Sequence, residues 1–109
     1  MSTVDLKSGS DLLAAGPQRL IEKTAEAVKA ADRVLDLAKA GVRARIKEVG
    51  GVDEAQHAAH GLAWLATTVE ALRQMNLWAA RLKEEGNFGE FEQLLLLAAF
   101  AEYGAQIAG

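Results

Sequence analysis

Apolar residues mark out one helical face early in the chain. Leu20, Ile21, Ala25, Val28, Val34, Leu35, Ala38, Val42, Ile46 and Val49 follow one another at helical spacing, mostly steps of three and four. The strip opposite carries Glu22, Lys23, Glu26, Lys29, Asp32, Arg33, Asp36 and Lys39, with several opposite charges three or four apart, as a solvated helix face prefers. Gly16-Pro17 opens this helix, because proline suits a first turn whose N–H groups have no intrahelical acceptor. Gly50-Gly51 ends it, and the pattern runs through Gly41, which is expected to loosen it.

The second helix is expected to start at Asp53 as N-cap, with Gln56 as capping-box partner, and to run to Glu85. Gly86-Asn87 stops it, since both tolerate the left-handed conformation of a C-terminal cap. At ~1.5 Å per residue these two helices each reach about 45 Å. The second is apolar over a wide arc through Leu62, Trp64, Leu65, Val69, Leu72, Met75, Trp78 and Leu82. Its polar strip is narrow, chiefly Thr67, Glu70, Arg73, Gln74 and Arg81, which suits a helix in the middle of an assembly. A third helix follows Asn87 through Phe91, Leu94 to Leu97, Phe100, Tyr103 and Ile107 to Gly109, with Glu90 and Glu92 favourably placed in its first turn.

These patterns predict an all-α fold: an up-down bundle of three long antiparallel helices over residues 17–109. Residues 1–16 form an N-terminal segment, partly disordered or holding a short fourth helix from Ser10 to Ala15. The second and third helices are more apolar than a free-standing three-helix bundle needs, and the third is still apolar where the sequence stops at Gly109. Leftover apolar faces imply a partner surface, either a second copy in a homo-oligomer or a further part of the same polypeptide. The expected interface residues are Trp64, Met75, Trp78, Leu94, Leu95 and Phe100.

Composition narrows the function classes. Of 109 residues, 50% are hydrophobic and 25% charged, a globular balance, and the net charge of −3 argues against nucleic-acid binding through bulk positive charge. Nor does that charge call for an anionic membrane. The longest apolar run, Leu94 to Ala101, is too short to cross a bilayer, and Met1 to Gly16 carries no secretory pattern, so a cytoplasmic location is expected. Cysteine is absent, which removes disulfides and thiolate chemistry.

Candidate chemistry is sparse. His57 and His60 lie three apart, and Glu54 to His57 matches the Glu-x-x-His spacing of di-iron bundles, but that chemistry needs a second such motif and further carboxylates. Capping or packing accounts for both imidazoles without a metal. Trp64, Met75, Trp78 and Phe100 have the spacing of core or interface positions rather than of a pocket for a planar or fatty ligand. Arg43, Arg45 and Lys47 sit where cations suit a helix C-terminus and need no phosphate to explain them. Asp53, Glu54, Glu84, Glu85, Glu90 and Glu92 fall at helix ends beside glycines, where solvated carboxylates do no acid–base work. Serine occurs only in the first ten residues, and no Gly-x-Ser-x-Gly turn or glycine-rich phosphate loop is present. No catalytic, cofactor-binding or metal-binding residue is assigned.

Two stretches carry a family resemblance. One runs from Gln56 through His57, His60, Gly61, Trp64 and Thr67, continuing from Val69 to Met75. The other comprises Gly86-Asn87-Phe88-Gly89-Glu90 and Ala98-Ala99-Phe100-Ala101-Glu102-Tyr103. Together they resemble the N-terminal helical extension of a branch of the acyl-CoA dehydrogenase family, the methylsuccinyl-CoA dehydrogenase type, over about residues 53–109. That family oxidises an acyl-CoA at its α,β carbons with a glutamate base and FAD as hydride acceptor. Its flavin and CoA are held by a helical N-terminal domain, a middle β-domain and a C-terminal helical bundle. The β-domain and the C-terminal bundle have no counterpart here, so no catalytic or FAD-binding residue is carried over. The resemblance implies a non-catalytic accessory domain, or a stand-alone relative of it, with FAD required only by a longer parent. It also implies that the unspent apolar faces pack on the missing catalytic domain or across a subunit interface.

Overall fold

The computed structural model describes residues 6–49 and 51–108. Four α-helices occupy them, with no strand among the described residues: α1 Leu6–Ala15, α2 Pro17–Val49, α3 Val52–Glu84 and α4 Glu90–Ala108. The all-α expectation holds, and the short N-terminal helix is real and starts four residues earlier than Ser10. Of the segment 1–16, expected to be partly disordered or to hold that helix, residues 1–5 lie outside the described residues, as do Gly50 and Gly109.

The helix boundaries follow from local chemistry. Gly16 has φ of +103°, a left-handed turn that turns the chain from α1 into α2, and Pro17 takes the first helical position. The α3 C-terminus is a Schellman cap: Gly86, at φ +75°, donates to the Lys83 carbonyl (3.1 Å) and Asn87 donates to the Leu82 carbonyl (2.8 Å). At the start of α4 the Glu92 carboxylate accepts the Gly89 N–H at 3.2 Å, half of a capping box. One boundary corrects the sequence reading. Gly51, not Asp53, is the N-cap of α3, and no side-chain cap bond forms there. Because the chain enters the helix at Val52, Asp53 lies inside the first turn, where its charge favours the helix dipole instead.

α2 and α3 form a long antiparallel hairpin. Ascending α2, Thr24 meets Asn76, Asp32 meets Arg73 and Arg45 meets Glu54, so the partners descend along α3. α4 returns along α3, and α1 lies on the α2 N-terminal half. The core gathers at the end where α3 turns into α4. Leu20, Val28, Leu72, Ala79, Phe88, Leu96 and Phe100 are buried there, with Leu12 and Leu13 of α1 closing one side. A smaller cluster of Ala31, Leu35 and Val69 adjoins it, and Ile107, near the end of α4, packs on both.

Two of these positions were not on the apolar pattern. Thr24 and Thr68 are buried, each returning its hydroxyl to the carbonyl one turn back, Leu20 at 3.0 Å and Trp64 at 2.9 Å. A threonine satisfied in this way fills a core position as valine would. Phe88, in the α3–α4 loop, is likewise buried.

Leu96 is fully buried, so Leu96→Ala should cost about 2–5 kcal/mol in urea denaturation. Gly86→Ala, forced into a left-handed conformation, should cost about 1 kcal/mol. A loss at Leu96 no larger than at Gly86 would contradict the core described here.

Candidate interaction surface

α4 is 19 residues long and α2 and α3 are 33 each, so α4 covers only part of the hairpin. At ~1.5 Å per residue α4 spans about 28 Å against about 50 Å for its neighbours. Past the height of Ile107 the two long helices continue as a bare two-helix arm. Along α2 no residue from Asp36 to Glu48 is buried, and along α3 none from Val52 to Ala66. The molecule is accordingly elongated, 52 × 28 × 17 Å, with a radius of gyration of 16.5 Å where a compact chain of this length has about 13 Å.

The arm exposes one side of a continuous line on α3. Trp64, Ala71, Met75, Trp78 and Leu82 recur at the helical period and share a face. Met75, Trp78 and Leu82 pack on the core that includes Leu96 and Phe100 of α4. Trp64, at the same azimuth beyond the end of α4, is 47% exposed.

α4 is apolar on two opposite faces. Leu96, Phe100 and Ile107 point inward, while Phe91, Leu94, Leu95 and Ala98 fall on the outer side at i, i+3, i+4 and i+7. Phe91 is 67% exposed, Leu94 45% and Leu95 42%. The six residues expected at an interface therefore divide. Phe100 lies in the chain's own core, Met75 and Trp78 are half-buried against it, and Trp64, Leu94 and Leu95 present their surface outward. Phe91, exposed on the same strip as Leu94 and Leu95, was not among the six, although its i, i+3, i+4 spacing to them is visible in the sequence.

Polar contacts fix the register of the hairpin beneath these faces. Asn76 donates its side-chain amide to the Ile21 carbonyl (3.0 Å) and to the Thr24 hydroxyl (2.7 Å). The Arg73 guanidinium forks onto Asp32 with bonds of 2.6 and 3.0 Å and reaches Glu70 at 3.0 Å. Hydrogen bonding from Arg73 holds the Asp32 carboxyl below its ordinary value, more than burial raises it. Glu70 is lowered too, first by its bond from Gln74 and then by Arg73, and Arg73 is raised by its bonds to Asp32 and Glu70. Asp32 and Arg73 appeared in the sequence as parts of two separate solvated strips; only the pairing of the helices brings them together.

The remaining candidates are solvated. His57 and His60 are exposed, and among the described residues no group of three or more histidine, aspartate or glutamate side chains is placed to hold a metal. Arg45 pairs with Glu54 at 3.7 Å across the hairpin, beside a cleft of about 170 Å³ lined also by Ile46, His57 and Ala58. A shallow depression on α3, lined by Ala66, Thr67, Glu70, Ala71 and Gln74, carries no cation. Neither fits a flavin, which needs a larger enclosure and donors for its pyrophosphate. No described helix is long and apolar enough to cross a membrane.

Asp32 and Arg73 are each 37% exposed, so solvent screens the pair and its contribution to stability is modest. Because the folded-state value of Asp32 is lowered, that contribution is present above the unfolded-state value of ~3.9 and disappears as pH falls through the folded one. Asp32→Asn should lower the denaturation midpoint at neutral pH and match the wild type in strong acid. A gap of equal size at both pH values would sink the assignment.

Comparison with known proteins places these features in context. No protein-family model matches the chain, and no solved structure does. A curated relative, (2S)-methylsuccinyl-CoA dehydrogenase from Cereibacter sphaeroides, is 44% identical over 95 residues, which cover 83% of this chain and 17% of the relative. The chain thus spans about a sixth of the length of the protein it matches. With that identity carried across most of its length, the chain fits a fragment of an acyl-CoA dehydrogenase.

Proposed function

We propose that this chain is a non-catalytic helical accessory domain of an FAD-dependent acyl-CoA dehydrogenase-like oxidoreductase, serving packing or subunit interaction. The observation that carries this reading is the pairing of the match with the surface. A sequence 44% identical to part of a dehydrogenase folds into helices whose apolar residues Trp64, Phe91, Leu94 and Leu95 face outward. The relative's remaining length is where substrate and FAD would be bound, in the N-terminal, β and C-terminal domains that the family resemblance implies.

Role and chemistry separate cleanly in this arrangement. Apolar faces contribute free energy in proportion to the area they remove from water, about 25 cal/mol per Å², and demand no special residue types. An accessory domain of this kind therefore keeps its helical periodicity and its outward apolar positions while lacking catalytic groups.

Two measurements check the proposal. The purified 109-residue chain should carry no flavin absorbance and should oxidise no acyl-CoA when FAD and an electron acceptor are supplied. Antibody against the domain should detect, in source-cell extract, a flavin-containing polypeptide several times larger than 11.6 kDa. A stoichiometric flavin on the isolated chain would refute the non-catalytic role, and a native band at 11.6 kDa would refute the accessory one.

A further inference from the structure

We propose that the outer strip of α4 docks a partner helix whose apolar face is bordered by lysine and arginine. This deepens the packing role proposed above, and rests on it, by naming the chemistry of the surface that α4 packs against.

The strip is a product of helix period. Phe91, Leu94, Leu95 and Ala98 fall within about 100° of arc at 3.6 residues per turn, and all four are exposed. Leu96 and Phe100, on the opposite side, are committed to the chain's own core, so the strip is a second apolar face and not the edge of the first. Anchors at i, i+3, i+4 and i+7 are the set that one helix offers to another when their side chains interdigitate. The geometry therefore fits a helix better than a flat surface.

Three carboxylates frame this strip. Glu90 and Glu92 lie about 100° to either side of Phe91, and Glu102 falls on the line of the strip one turn beyond Ala98. α4 carries no lysine, arginine or histidine. Glu92 accepts the Gly89 N–H and Glu102 accepts the Gln106 amide, uncharged donors that leave both negative charges in place. Among the described residues none of the three glutamates forms an ion pair, although Arg81 and Lys83 stand a few residues earlier at the end of α3. A partner that buries the strip brings its own rim close to this frame, where unlike charges attract and like charges are unfavourable.

The frame disfavours the other occupants an apolar strip could take. A second copy laid strip to strip opposes carboxylates in either direction: parallel pairing sets Glu102 against Glu102, and antiparallel pairing sets it toward Glu90 and Glu92. An anionic membrane surface repels the same groups, and α4 has no cation to offset them. Of these occupants only a helix with a basic border covers the strip and compensates its frame.

The test uses the 109-residue chain and two designed helical peptides. Both carry leucine at i, i+3, i+4 and i+7; one has lysine on both flanks and the other glutamate. In calorimetric titration the lysine peptide should bind saturably, one per chain, and more weakly as salt is raised. The glutamate peptide should not bind. Leu95→Asp, at an exposed position, should weaken binding about tenfold while circular dichroism stays unchanged. Glu90→Gln, Glu92→Gln and Glu102→Gln together should weaken it roughly three- to tenfold and flatten its salt dependence. Glutamine at position 92 keeps an oxygen for the Gly89 N–H, so the cap survives. Removing as many charges from the exposed face of α2, with Glu22→Gln, Glu26→Gln and Asp36→Asn, should leave binding as it is.

A folded chain that fails to bind the lysine peptide, or binds both peptides equally, overturns the proposal. So does binding that survives Leu95→Asp, or that responds equally to the α2 and α4 charge variants. A wild-type chain that is dimeric on a sizing column, and monomeric as Leu95→Asp, puts a second copy on the strip and overturns it as well. None of these outcomes touches the accessory-domain reading, which stands or falls on the size and flavin content of the native polypeptide.

Discussion

The register between α2 and α3 is the constraint on which the other features depend. α2 has one apolar face but α3 is apolar over a wide arc, so apolar burial alone permits several rotations and offsets of α3 against α2. Asn76 removes most of that freedom, since its two amide hydrogens must reach the Ile21 carbonyl and the Thr24 hydroxyl at once. Two turns further along α2, the Arg73 fork on Asp32 adds a second directional tie between the same two helices. Directional bonds lose their value when misaligned by an ångström or two, whereas apolar contacts degrade gradually. The weaker interactions thus choose among packings that the stronger, less specific ones leave nearly equal.

Once that register is set, the position of α4 follows. The Schellman cap at Gly86 and the buried Phe88 turn the chain back sharply, and Leu96 and Phe100 drop into the space between Leu20, Leu72 and Ala79. A 19-residue helix then ends before the hairpin does. Beyond the described end of α4 the arm consists of the two longer helices. It carries Trp64 outward because the line of side chains that α4 covers continues past the end of α4.

The strongest surface features of the described residues are apolar: Trp64, Phe91, Leu94 and Leu95 face outward, and His57 and His60 are solvated. This agrees with a match confined to about a sixth of an acyl-CoA dehydrogenase. The groups that perturb one another here, Asp32, Glu70 and Arg73, hold two helices together and face no enclosed space.

Much of the fold was legible without coordinates. Steps of three and four residues gave α2, α3 and α4, and Gly16-Pro17 and Gly86-Asn87 gave two of their boundaries, because helix period and backbone permissiveness are local properties. The N-terminus of α3 was misread at Asp53 because a good capping residue one position inside a helix looks, in sequence, like one at its edge. Thr24 and Thr68 escaped the apolar pattern because their hydroxyls are satisfied by carbonyls of their own helix, which polarity scales do not register. The family resemblance too was carried by linear text. What the linear pattern left open was which apolar residues remain outside. Phe100 and Leu95 are alike in sequence, yet one is buried and the other exposed, since that depends on the rotation of α4 against α3. The same holds for Asp32 and Arg73, 41 residues apart, whose meeting requires the antiparallel return of the chain. Periodicity fixes which residues share a face of one helix; only the packing of several helices decides what each face meets.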